Sequence, residues 1–345
     1  LIDAWLSKNG RTPGSLNAVE RLCYTGTRGM GALEFFPEIG IDPTADEALK
    51  VDELSKLASD ILNQREGLRT SIHSSSFEHL ISVGTSAGGA RAKAVIAINK
   101  KTGEVRSGQI DAGKDYEHWL IKFDRIKNNR DKEDVDDHQH TVTEYAYYQM
   151  AILAGIDMSE CKILSQSGEH FLTKRFDRTA DGGKLHMLSL AGMAHYDYNI
   201  AGEHSYEEIA DIIRRIGCDY HDIRQLYRRM VFNHKAKNYD DHVKNISFLM
   251  QRDGTWSLAP AYDITFSYNP AGAWTSRHQM TVNGKMAGID DNDLIASGKN
   301  IGISASDMRN DIERIENAIE KWTDIATSVG LREERAAQIK DCFEK

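Results

Sequence analysis

Apolar positions change their spacing several times along the chain, and each change predicts an element. Residues 44–65 (TADEALKVDELSKLASDILNQR) carry Leu54, Leu57, Ile61 and Leu62 on one face of a predicted amphipathic helix. In HLISVGTSAGGARAKAVIAINKKTGEVRSGQI the apolar residues fall instead in short runs cut by glycine and turn residues. That predicts a strand, a glycine-rich turn, a strand over KAVIAIN, a turn at KKTGE and a further strand. EHWLIKF reads as another short strand, with Lys122 near its end. A polar loop over 124–141 leads into a predicted helix over about 143–154, and KILSQSGEHFLTKRFDR reads as two strands around Ser167-Gly168. SYEEIADIIRRI opens with Ser205 and Glu208 at capping-box spacing, and IRQLYRRMVFNHKA predicts the next helix. ISFLMQ and TWSLAPAYD flank Asp253-Gly254, a hairpin signal repeated at Asn283-Gly284. Ile312, Ile315, Ile319, Trp322 and Ile325 then recur at helical spacing.

Strands with one helix come first and helices dominate the end, which predicts an α+β chain. At 345 residues it can bury a large core and divide into two lobes. We place a β-rich N-terminal lobe at 1–176 and a mainly helical C-terminal lobe at 177–345. A net charge of −9 argues against a broad basic surface for nucleic acid. No apolar run approaches the roughly 18 residues needed to span a bilayer, and no signal-peptide pattern opens the chain. Cys23, Cys161, Cys218 and Cys342 are scattered without a CxxC pair. They read as reduced thiols of a cytosolic protein, not as a disulfide framework or a zinc site. The first residue is Leu1 and not Met, so an N-terminal segment is expected to be missing.

The densest polar cluster is NYDDHVKN, residues 238–245, directly before the first strand of the Asp253-Gly254 hairpin. Asp240 and Asn245 stand at the spacing of the protein-kinase catalytic loop, D-x-x-x-x-N. Phosphoryl transfer needs an Asp to accept a hydrogen bond from the attacking hydroxyl, and an Asn a few residues on to offer its amide oxygen to Mg²⁺. The returning strand of the hairpin would deliver Asp263 as a second oxygen ligand. The pattern alone would equally suit a solvated loop capped by Asn and Asp side chains. Other parts of the chain follow the kinase order. TSAGGARAK is a glycine-rich turn whose backbone can approach phosphate oxygens. Lys122 on a following strand would balance phosphate charge, with Glu144 as a partner; its alternative role is to guard a sheet edge. TKRFDR lies where a linker would offer backbone groups to adenine. His234, Asp240, Asp241 and His242 match no transition-metal spacing, and an amide with a carboxylate suits hard Mg²⁺ better. DVDDHQH, residues 134–140, reads as a solvated charge run.

NYDDHVKN followed by LAPAYD resembles the signature of the HipA-like serine/threonine kinases, toxins of bacterial toxin–antitoxin pairs. The resemblance covers about residues 1–330 and is most specific over 235–264. It implies a two-lobed protein-kinase-like fold using ATP and Mg²⁺. It implies Asp240 as catalytic base, Asn245 and Asp263 as Mg²⁺ ligands, and Lys122 as the nucleotide lysine. His242 and Lys244 would line the phosphates, beside Tyr262. Gly88, Gly89, Ala90, Arg91, Ala92 and Lys93 would form the phosphate loop, and Lys174, Arg175 and Phe176 the adenine edge. Ser86 occupies the position of the family's autophosphorylated serine. Arg91 and Ala92 replace a common Gln-Glu pair, and segment 185–205 departs from the family pattern, so the substrate is the least constrained inference. By resemblance that substrate is a translation component such as an aminoacyl-tRNA synthetase. The partner is a helix-turn-helix, HipB-like antitoxin through which operator DNA is contacted, and no membrane is involved. The rival readings are a small-molecule kinase of related fold and an inactive partner-binding pseudokinase.

Overall fold

Alternating apolar residues after position 92 build an antiparallel sheet. The computed structural model describes residues 2–12, 14–39, 49–55, 93–109, 112–124, 139–166 and 168–343. Its strands are β1 (Lys93–Asn99), β2 (Val105–Ser107), β3 (Tyr116–Lys122), β4 (Cys161–Ser165) and β5 (Glu169–Lys174), in the order β2-β1-β3-β5-β4. β1 and β3 pair along their full lengths, from Lys93 opposite Lys122 to Asn99 opposite Tyr116. Ala94, Ile96, Trp119, Ile121 and Leu172 are buried on the sheet with Val51 and Leu54 of a helical stretch at 51–55. Within the helix predicted over 44–65, residues 51–55 are helical, Leu49 and Lys50 are not, and the others lie outside the described residues. β3 is the central strand, so Lys122 does not guard an edge.

A second sheet, ordered β6-β7-β8, joins β6 (His186–Ser189), β7 (Ser247–Met250) and β8 (Trp256–Leu258). The hairpin predicted at Asp253-Gly254 forms, with Phe248 opposite Leu258 and Met250 opposite Trp256. Gly254 takes the left-handed φ of +87° that its turn requires. The helix Tyr220–Lys235 buries Ile223, Leu226, Tyr227, Met230, Val231 and Phe232 in the core of this half. Its neighbour Tyr206–Arg215 starts at the predicted capping box, Ser205 and Glu208 bonding each other's backbone. The late isoleucine run divides into two helices, Ala305–Glu320 and Trp322–Ser328, with Ile315, Trp322 and Ile325 buried. At Asn283-Gly284 both residues take positive φ and Val282 and Lys285 exchange both backbone bonds at 2.9 Å.

The chain forms two compact units: residues 1–141 with 161–185, and residues 142–160 with 186–345. Against the single division expected at 176/177, the chain thus passes between units three times. The first unit owes part of its order to Asp177, whose buried carboxylate accepts bonds from Arg175 Nε (2.9 Å) and Nη2 (2.7 Å), Arg178 Nη1 (3.1 Å) and the Gly31 amide (2.6 Å). These donors offset the loss of hydration that burial imposes on a carboxylate. Asp177→Ala is expected to lower unfolding free energy by about 3 kcal/mol or more, because Arg175 is left buried and unpaired. Urea denaturation of wild type and variant measures it.

Candidate active site

Between the helix Tyr220–Lys235 and β7 the chain makes a tight polar loop ending in one 3-10 turn, Val243–Asn245. Two adjacent carboxylates in this loop face different surroundings. Asp241 is buried, and its oxygens accept from Tyr206 Oη (3.0 Å), His278 Nδ1 (2.9 Å) and the Gln279 amide (2.8 Å). Asp240 keeps 43% of its side chain exposed, and its Oδ1 accepts from the Trp274 indole at 2.7 Å. Its backbone is pinned on both sides: Ser267 Oγ accepts its N–H at 2.9 Å, and Asn245 Nδ2 donates to its carbonyl at 2.9 Å. The bond from Asn245 spends the amide nitrogen and leaves the amide oxygen as the atom to offer a ligand.

Asp263 arrives from the far end of the hairpin with φ of +54°, a left-handed conformation that Asp and Asn tolerate better than other side-chain-bearing residues. The preceding Tyr262 turns inward, its hydroxyl donating to the Lys244 carbonyl at 2.8 Å and sharing a 2.5 Å bond with Ser247 Oγ. Tyr262 therefore ties the polar loop to the segment after β8 that carries Asp263, and burial pushes its phenol well above the usual value. Asn245, Asp263, Asp241, His242 and Asn238 line one cavity of about 20 Å³, room for roughly one water. Arg229 lines it too, donating to the Ala259 carbonyl at 2.7 Å; burial lowers its guanidinium pKa to about 10. The Asp263 carboxylate and the Asn245 amide, both lining this cavity, supply hard oxygen donors. That fits Mg²⁺, which takes one or two protein oxygens and completes its shell with water and phosphate.

The other site residues predicted from sequence fall as follows. His242 lies 3.7 Å from Asp240 Oδ1 through Nε2, and Lys244 Nζ stands 4.3 Å over the ring of Tyr198. Lys122 closes β3 in the first unit, buried, 5.8 Å over the ring of Phe171. Glu144, suggested as its partner, is buried on the helix His140–Leu153. Lys174 pairs with Glu117 at 2.6 Å, and Arg175 and Arg178 are held by Asp177, so the KRFDR segment spends its three cations internally. Lys93 opens β1. Ser86, Gly88, Gly89, Ala90, Arg91 and Ala92 lie outside the described residues, as do residues 134–138 of the charge run. Among the described residues no group of three or more His, Cys, Asp or Glu could hold a metal, and no helix is long and apolar enough to cross a membrane.

Sequence reasoning missed the partners of the acidic pair: Tyr206, Ser267, Trp274, His278 and Gln279. A usable signal existed. Residues 265–280 (TFSYNPAGAWTSRHQM) form a long connection directly after the candidate metal ligand, rich in aromatic and polar residues, and connections of that length are usually functional.

Two expectations follow from this geometry. Asp241→Ala leaves buried Tyr206 and His278 without their acceptor and should cost about 3 kcal/mol, whereas Asp240→Ala should stay within about 1 kcal/mol. Thermal unfolding of the two variants separates them. His234, at the end of the same helix, is held to a pKa of about 4 by burial and by the neighbouring His278, Lys237 and Lys235. Its unfolded value is about 6.5, so the unfolded chain binds the proton more readily. The stability tied to neutral His234 is complete above pH about 6.5 and is lost as pH falls toward about 4. His234→Gln should flatten that part of the stability profile, which denaturation at stepped pH reads directly.

The profile of the HipA-like C-terminal domain matches residues 85–340. A Haemophilus influenzae protein named "Putative kinase" is 28% identical over 135 residues, 35% of this chain and 39% of that protein. A Sinorhizobium fredii protein named "Putative kinase Y4dM" is 28% identical over 138 residues, 35% of this chain and 32% of that protein. The matched segments thus span 32% to 39% of these curated relatives. The fold is that of HipA in the Shewanella oneidensis complex of HipA, HipB and operator DNA: TM-score 0.68 and 15% identity, over 99% of this chain and 80% of that one.

Proposed function

The chain belongs to the family of the HipA-like C-terminal domain, and from that premise we propose that it is an ATP- and Mg²⁺-dependent serine/threonine protein kinase. The observation that carries the reading is that Asn245 and Asp263, far apart in sequence, line one cavity while Asp240 stands exposed on the same loop. In the proposed reaction the acceptor hydroxyl oxygen forms a bond to the γ-phosphorus of ATP. The bond from that phosphorus to the bridging oxygen breaks, and ADP leaves. Asp240 orients the hydroxyl and takes its proton. Asn245 and Asp263 would hold the metal, which when bound neutralises charge on the phosphates. Lys122 is proposed as the nucleotide lysine, and His242, Lys244 and residues 88–93 as contacts for the phosphates. The site gains its rate from positioning and charge, since phosphoryl transfer leaves little covalent work to the protein.

The biological setting is part of the same proposal: a growth-arresting toxin, phosphorylating a translation component such as an aminoacyl-tRNA synthetase, restrained by a helix-turn-helix antitoxin and by autophosphorylation at Ser86. The Shewanella complex supports the antitoxin partner, because a protein of this fold is seen there with HipB and operator DNA. The net charge of −9 fits DNA contact made mainly through the partner.

Incubation with γ-labelled ATP, Mg²⁺ and a bacterial lysate should label a protein on serine or threonine. Asp240→Gln should keep nucleotide affinity and lower transfer by about 10² or more, the scale of a lost general base. Asp263→Asn preserves the left-handed backbone and should weaken Mg²⁺-dependent ATP binding by about tenfold or more, with the melting point of the free protein unchanged. No labelled protein from a wild type that binds ATP would contradict the protein-kinase assignment. Loss of stability with normal nucleotide binding in Asp263→Asn would make that carboxylate structural.

A further inference from the structure

The two adjacent carboxylates of the loop are held by opposite ends of one short segment, residues 274–279. Asp241 accepts from His278 and from the Gln279 amide at the buried end. The Gln279 side chain reaches back, its Nε2 donating to the carbonyls of Trp274 (2.7 Å) and Arg277 (3.0 Å). Trp274 Nε1 closes the circuit on Asp240 Oδ1 at 2.7 Å. The bonds from Ser267 and Asn245 fix the backbone of Asp240 but not its carboxylate, and the terminal torsion of an aspartate is broad and two-fold. His242 Nε2, at 3.7 Å, is beyond hydrogen-bond distance. Among the described residues the indole is thus the side-chain donor that restrains this half-exposed carboxylate.

We infer that Trp274 is a positioning residue for Asp240: its N–H occupies Oδ1 and so presents Oδ2 to the acceptor hydroxyl. The inference deepens the phosphoryl-transfer reading and rests on it. The residue type suits the task. An indole N–H donates and cannot accept, so it holds the carboxylate without competing for the proton that Asp240 must take. A histidine or lysine there would bring a proton of its own. The circuit through Gln279 also makes the carboxylate's orientation depend on the buried Asp241 network, so one rigid base sets the geometry of its reactive neighbour.

The decisive replacement is Trp274→β-(3-benzothienyl)alanine, which keeps the ring shape and puts sulfur in place of the N–H. With Trp274→Phe beside it, turnover is expected to fall about tenfold or more in both proteins, as for other small misplacements of a reacting group. KM for ATP and melting temperature should stay at wild-type values. In the free protein, the ¹⁵N–¹H indole resonance of Trp274 should move upfield and exchange faster with solvent in Asp240→Ala. Full turnover in the benzothienyl protein overturns the positioning role alone, as does an indole resonance indifferent to Asp240→Ala. A wild type that transfers no phosphate while its indole resonance still responds sinks the kinase reading, and the positioning role with it.

Discussion

A carboxylate taken out of water must be met by donors, and Asp241 is met by a tyrosine hydroxyl, a histidine N–H and a backbone amide from elements up to 38 residues away in sequence. Much of the candidate site is built outward from that solution. With Asp241 committed to the interior, its neighbour Asp240 is left half-exposed, as the proposed base must be. The 3-10 turn that follows lets Asn245 bond the Asp240 carbonyl, and Tyr262 binds the Lys244 carbonyl and so ties the segment carrying Asp263 to the loop. Burial and the nearby Asp241 charge hold the Tyr206 phenol firmly protonated, so it stays a donor. Asp240 stays half-exposed at its end of the loop, while both carboxylate oxygens of Asp241 are met by donors in the interior.

The elements legible in the sequence were those whose local pattern agrees with their tertiary use. β1 follows KAVIAIN residue for residue, the Asp253-Gly254 hairpin forms, and the capping box at Ser205 closes as spaced. Four-residue β6 was not legible, because His186–Ser189 is too short to show a period and exists through its pairing with β7. The partners of Asp241 were hidden for a related reason: a buried network is assembled across distant segments, and a single chain read in order shows only its members. Asp240, Asn245 and Asp263 could be proposed from spacing. That Asp241 beside them is structural follows from burial, which no motif encodes.

The first unit shows the complementary limit. KRFDR was read as offering backbone groups to adenine, and its side-chain cations are held internally, Arg175 and Arg178 by Asp177 and Lys174 by Glu117. Charge in a motif is not charge available to a ligand. Lys122 moves in the other direction, since the central position of β3 removes the edge-guarding explanation and leaves a buried lysine on the strand next to β1.

The central claim is that Asn245 and Asp263 share a metal while Asp240 stays clear of it. A crystal structure of the chain with Mg²⁺ and a non-hydrolysable ATP analogue tests this most directly. The account predicts Mg²⁺ at about 2.0–2.1 Å from Asn245 Oδ1 and from an Asp263 carboxylate oxygen, with Asp240 toward the γ-phosphate from the acceptor side and Asp241 still bonded to Tyr206 and His278. A metal seated on Asp240 or Asp241, or a nucleotide bound away from this loop, would contradict it.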